Sequence, residues 1–152
     1  MREGYLVLSR VRLNRFAELV HAHNLGIVLS TSWRLDTTAR AALLAAFAAV
    51  GIDCAARVLG DCPDLSQTSD GLYPAGVRGD EMASWLERHG WPPWIAIDDM
   101  PLATPEAEAH RQRPTPLMEG HFVCTEADIG LSDEMAGVAG ALLAKQLVSS
   151  NE

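Results

Sequence analysis

No stretch of the sequence approaches the roughly 18 uninterrupted apolar residues of a membrane span, which excludes a helical transmembrane segment. The stretch from Met1 to Asn14 alternates arginines with short apolar runs, so no secretory leader is expected there. Cysteine is sparse: Cys54, Cys62 and Cys124 are an odd number without C-x-x-C spacing. They read as ordinary thiols in a reducing compartment, and a cytoplasmic location is expected. Positive charge is also in short supply, with 12 Lys and Arg against 20 Asp and Glu and a formal net charge of −8. Broad electrostatic binding to nucleic acid or to an anionic membrane is thereby excluded, because phosphate neutralisation needs basic surface. A local basic pocket for one phosphate is compatible with that balance.

What the sequence does contain is an ordinary globular composition, 48% apolar and 21% charged over 152 residues. A chain of this length buries roughly 68–70% of its unfolded surface and needs neither metal nor disulfide to fold. No repeat, low-complexity tract or linker divides it, so a single domain over residues 1–152 is expected.

Short apolar runs alternate with amphipathic stretches. Leu13, Phe16, Leu19 and Val20 recur at helical spacing over about residues 11–23. After Gly26, the β-branched run Ile27-Val28-Leu29-Ser30 reads as a strand. Asp36 or Thr37 can cap a second helix that buries Leu43, Leu44, Phe47 and Val50 and ends at Gly51. Arg57-Val58-Leu59 reads as a further strand. Residues 60–78, rich in Gly, Pro and Ser, predict a long loop, and Asp80 predicts the cap of a helix burying Met82, Trp85 and Leu86. Trp94 to Ile97 and His121 to Thr125 predict two more strands, separated by a Pro-rich irregular segment. Ser132 caps a last helix with Met135, Val138, Ala139, Leu142 and Leu143 turned inward. Continuous apolar strands between helices predict a parallel sheet covered on both faces, an α/β three-layer sandwich.

Ligands of such sheets bind outside the carboxyl ends of the strands, which points to two places in this chain. Asp98-Asp99 closes an apolar strand, and two adjacent carboxylates there need a cation or hydrogen-bond donors to offset their repulsion. Mg²⁺ takes one or two such carboxylates with water and phosphate oxygens, whereas an isolated Asp-Asp more often makes a turn. Ser30-Thr31-Ser32-Trp33-Arg34 offers small hydroxyls and free backbone N–H groups that can cradle a phosphate, with Arg34 adding a bidentate contact. The same residues can also simply end a strand and cap a helix. Arg78 stands before the helix expected near Asp80, as a phosphate-neutralising cation or a solvated loop arginine. His21-x-His23 has the wrong helical spacing for joint metal ligation. His110-Arg111-Gln112-Arg113 is a short basic patch, and Trp33, Trp85, Trp91 and Trp94 offer either core packing or base stacking.

Taken in order, the motifs are Ser-Thr-Ser-Trp-Arg after a strand (30–34), Arg-Gly-Asp-Glu-Met-x-x-Trp-Leu (78–86), Trp-Ile-Ala-Ile-Asp-Asp (94–99), and Thr-x-x-x-x-Gly-Leu-Ser before a helix (125–132). This series resembles the haloacid dehalogenase superfamily of phosphohydrolases, and within it the small capless branch found in RNA-repair-type proteins. The resemblance runs from about Ser9 to Leu147. It implies a mostly parallel Rossmann-like sheet, Mg²⁺ as cofactor, and a phosphorylated small molecule or a nucleic-acid end as substrate. It assigns Ser30 or Ser32 to contact the transferring phosphoryl group, with Thr31 and Arg34 beside it. Arg78 stabilises that group's charge, and Asp98 and Asp99 form the acidic pair, with Asp99 the direct Mg²⁺ ligand.

Members of that superfamily attack with an Asp in a D-x-D element on the first strand. No D-x-D stands anywhere in this sequence. Three explanations compete: the chain starts at an internal Met, it is a degenerate relative, or it receives the missing strand from another chain. Gly4-Tyr5-Leu6-Val7-Leu8 is apolar enough to replace that strand. An impaired phosphohydrolase with little or no Mg²⁺ binding is therefore expected. The alternatives are a non-catalytic phosphate-binding or protein-interaction module, or a homodimer that shares sheet edges.

Overall fold

The computed structural model describes residues 10–65, 74–109, 117–125 and 131–150. It divides into two compact units, Met1–Asp61 and Cys62–Glu152. Among the described residues each is a mixture of helix and strand with one small parallel sheet, as expected of an α/β fold.

In the first unit, α1 (Arg10–Ala22) leads into β1 (Ile27–Leu29), a 3-10 turn (Ser32–Leu35), α2 (Thr37–Ala49), the short α3 (Cys54–Arg57) and β2 (Val58–Asp61). β1 and β2 are parallel, with Ile27 opposite Val58 and Leu29 opposite Asp61. A parallel pair requires a crossover, and α2 and α3 supply it. Asp36 caps α2 by accepting from the Ala39 N–H at 3.0 Å, which satisfies one of the helix's unbonded first-turn donors. Gly51, at φ +88°, reverses the chain after α2 in a conformation that costs glycine little. Ala17 and Val20 from α1, Ile27 and Leu29 from β1, and Leu43 and Phe47 from α2 form the core with Ile52. The rings of Phe16 and Phe47 meet at 5.5 Å. This is the apolar stripe that the 3–4 residue spacing foretells. The turn at α3 was not foreseen; Asp53 caps it, and it is too short to show a period.

The second unit runs α4 (Pro74–Arg88), β3 (Ala96–Asp98), α5 (Pro105–Ala109), β4 (Phe122–Cys124) and α6 (Asp133–Ser150). β3 and β4 are parallel, with Ala96 opposite Phe122 and Asp98 opposite Cys124. Their entry is fixed by a side-chain clamp. Gln146 of α6 accepts from the Trp94 N–H at 2.9 Å and donates to the Trp94 carbonyl at 2.8 Å, doing for this peptide what a neighbouring strand would. His121 donates from Nδ1 to the same carbonyl at 2.9 Å and stacks its ring on the indole at 4.2 Å.

Two expectations are corrected here. α4 starts at Pro74, not near Asp80, because proline suits the first helical position, where its missing N–H is not needed. Asp80 is therefore no cap: it lies buried within the helix beside Glu81, which accepts from the Leu65 N–H at 2.9 Å. In α6, Ser132 does cap, accepting from the Met135 N–H at 3.1 Å, and Ala139 and Leu143 are buried. Val138, expected inside, is 40% exposed. The candidate strand at residues 4–8 and the basic patch at 110–113 lie outside the described residues. Among the described residues, no helix is long and apolar enough to cross a membrane.

Candidate functional site

The two strand ends singled out above fall in different units, and each is built by its own local chemistry. In the first unit, β1 stops at Leu29 and the chain turns through Ser30 and Thr31, both half-buried, into the 3-10 turn at Ser32. Arg34 is 7% exposed and folds back on this turn. Its Nη1 donates to the Ser30 carbonyl at 2.8 Å and to the Thr31 carbonyl at 2.9 Å. The Arg34 N–H also donates to the Thr31 carbonyl at 3.1 Å. In a trans peptide the N–H points opposite to the C=O. Drawing both carbonyls onto the guanidinium therefore turns the N–H groups of Thr31 and Ser32 to the other side of the loop. Arg34 was expected to add a contact to a phosphate; in the structure its Nη1 is committed to the backbone carbonyls of this turn. The Ser32 side chain lies outside what the structure describes.

In the second unit, Arg78 sits on α4 rather than on a loop, and it reaches the end of β3. Its Nη1 donates to Asp98 Oδ2 at 2.9 Å and Oδ1 at 3.2 Å, and Asp98 Oδ1 also accepts from the Met100 N–H at 2.9 Å. The side chains are 18% and 7% exposed. Burial pushes the Asp98 carboxyl up, against the opposing pull of the Met100 N–H and Arg78, and a hydrogen bond that protonated Asp98 donates to the Asp99 side chain adds to the rise. Arg78 has no other partner among the described residues, so the side-on fork formed by Nε and Nη2 is open.

Asp99 is exposed beside this pair. Cys124 stands opposite Asp98 in register, and burial, then the Asp98 and Asp99 charges, raise its thiol pKa. A thiol so placed stays protonated and is a poor nucleophile.

The chemistry of these donors decides what they fit. Both Asp98 oxygens already accept hydrogen bonds, one pair of them from a cation, which disfavours direct ligation of a second cation. Asp99 carries no such commitment to a cation, and Mg²⁺ is content with one or two protein carboxylates plus phosphate oxygens and water. No group of three or more potential ligands is assembled among the described residues.

One pair at the carboxyl ends of the strands escaped the sequence reading. Arg40, in the first turns of α2, meets Asp61 at the end of β2 in a two-point contact, Nε to Oδ2 at 3.1 Å and Nη2 to Oδ1 at 3.0 Å. The strand-end rule that picked out Asp98 applies equally to Asp61, which closes Val58-Leu59-Gly60.

The sequence profile of one protein family, described as the HAD domain in Swiss Army Knife RNA repair proteins, matches residues 2–136. That match crosses the boundary between the two units. Neither a curated protein nor a solved structure matches the chain.

Proposed function

Because the chain belongs to the family of haloacid dehalogenase (HAD) domains of Swiss Army Knife RNA repair proteins, we propose that it binds phosphoryl groups at strand ends, at the carboxyl end of β1 in the first unit and at that of β3 in the second. The observation that carries this reading is Arg78, held on α4 by Asp98 with its Nε and Nη2 donors uncommitted. A planar fork of this kind matches two phosphate oxygens, and its carboxylate partner fixes its direction in advance. In the first unit, the Ser32 amide and the Ser30 and Ser32 hydroxyls supply neutral donors at the end of β1. Arg34 acts through that amide as a positioning residue. Asp99 is the one member of the acidic pair suited to hold Mg²⁺, which would screen phosphate charge there; Asp98 serves Arg78.

The reaction this family points to is phosphomonoester hydrolysis through an aspartyl-phosphate, which needs a nucleophilic Asp. The sequence carries no D-x-D, so binding without efficient turnover is the function proposed, in a reducing compartment and on phosphorylated small molecules or nucleic-acid ends. Titration with orthophosphate, followed by amide and guanidinium NMR, tests the binding. The Ser32 amide at the β1 end and Arg78 Nε–H at the β3 end should each shift along a saturating curve. Shifts confined to other residues would overturn the assignment.

A second reading, a non-catalytic interaction module or strand-sharing homodimer, is favoured by the sheet edges. Among the described residues β1 pairs with β2 alone and β3 with β4 alone, although Ile27, Leu29 and Ala96 are buried as in interior strands.

A further inference from the structure

We propose that Arg40 forms a second phosphate subsite beside the Ser30–Arg34 loop. It would take the penultimate phosphate of a single-stranded nucleic-acid end whose terminal phosphate occupies the loop. The proposal rests on the phosphate-binding reading above and names its substrate class.

The argument starts from the geometry of the guanidinium. Arg40 gives Nε and Nη2 to Asp61, a side-on contact that fixes the plane of the group. Nη1 has no partner among the described residues, and the side chain is 34% exposed. A guanidinium held in this way loses little further freedom when an anion arrives at the remaining nitrogen.

Its location is the second observation. Leu29 and Asp61 are direct register partners on neighbouring strands, and Ser30 is the next residue after Leu29. Neighbouring strands lie about 4.8 Å apart, so Asp61 and its arginine stand beside the loop rather than at a remote surface. Arg40 is also in the opening turns of α2, whose N-terminal N–H groups favour negative charge. The carboxylates nearby are already engaged: Asp61 by Arg40, and Asp36 by the Ala39 N–H.

Net charge then decides the kind of ligand. A chain at −8 repels a long polyanion, so contacts along the body of a nucleic acid are disfavoured. A substrate end, touching with one or two phosphates, suits two locally basic stations in an acidic protein. The competing role for Arg40 is a plain staple between α2 and β2, and an experiment separates the two.

The full chain is titrated with uridine monophosphate, which has one phosphate, and with a uridine dinucleotide carrying a terminal phosphate at its 3′ or 5′ end, which has two. The unaltered chain should bind a dinucleotide about tenfold more tightly than the mononucleotide, consistent with one added charge-assisted contact. Arg40→Gln should remove that preference and leave mononucleotide binding within about twofold, which also shows the variant is folded. The slope of log affinity against log salt for the dinucleotide should fall by about 0.7, the share of one phosphate contact on a single strand. Equal loss of both probes, or no loss of either, would overturn the subsite and leave Arg40 as a staple. Failure of the unaltered chain to bind the mononucleotide would instead remove the phosphate-binding reading, and the subsite with it.

Discussion

Replacing Arg78 by methionine is expected to weaken orthophosphate binding about 10- to 100-fold and to destabilise the protein by about 3 kcal/mol. The first effect is the loss of the Nε and Nη2 fork, taken at the net worth of one charge-assisted hydrogen bond, about 1.5–3 kcal/mol. The second comes from Asp98, whose side chain is 7% exposed and whose counter-charge would be gone. Removing one member of a buried pair strands the other, whereas replacing both by apolar groups is often neutral. The double variant Arg78→Met/Asp98→Leu should therefore recover most of the lost stability and none of the binding.

The pH dependence of the single variant follows from the raised Asp98 pKa, whose main cause is burial. A carboxyl whose folded-state pKa is above its unfolded value contributes stability below about pH 4, and that contribution is lost as pH rises through the folded value. Removing Arg78 raises that folded value further. The Arg78→Met defect should thus be larger at neutral pH than near pH 4, read as the difference in denaturation midpoint from the unaltered chain.

The 152-residue chain is expected to hydrolyse an aryl phosphate no faster than a buffer control containing Mg²⁺. Covalent attack by a carboxylate is the step that positioned donors assist and cannot replace. Cys124, exposed at the end of β4, has its thiol pKa raised rather than lowered, which disfavours the thiolate a nucleophile needs. Joining an apolar strand bearing D-x-D ahead of residue 1 should produce steady-state turnover, and Asp99→Asn should then abolish it. Turnover by the 152-residue chain that survives Asp99→Asn would defeat both the assigned site and the inference from the missing motif.

Local pattern made much of this fold readable. Ile27–Leu29, Ala96–Asp98 and Phe122–Cys124 are apolar runs cut off by hydroxyl or acidic residues or by a thiol, and each is a strand. Asp36 and Ser132 cap helices because their short side chains reach the unbonded N–H groups of the first turn. The start of α4 was hidden because Pro74 and Gly76 look like loop residues, although proline is well suited to open a helix. Partnerships distant in sequence were hidden for a different reason. Arg40 and Asp61 are 21 positions apart, and Gln146 and Trp94 are 52 apart, so no local period announces them. The sequence offered Arg78 as a phosphate-neutralising cation or a solvated arginine and Asp98-Asp99 as a metal pair or a turn, and the structure joins Arg78 to Asp98. That Arg78 serves Asp98 through one nitrogen, and that Arg34 turns inward, are matters of side-chain direction that composition and spacing do not carry.

The claim on which the rest depends is that Arg78 is the principal phosphate contact and Asp98 its anchor. Calorimetric titration of orthophosphate into the unaltered chain and into Arg78→Met/Asp98→Leu, both shown to be folded by cooperative unfolding, measures it directly. Saturable binding by the unaltered chain and at least tenfold weaker binding by the folded double variant is the predicted result. Equal binding by the two proteins would contradict it.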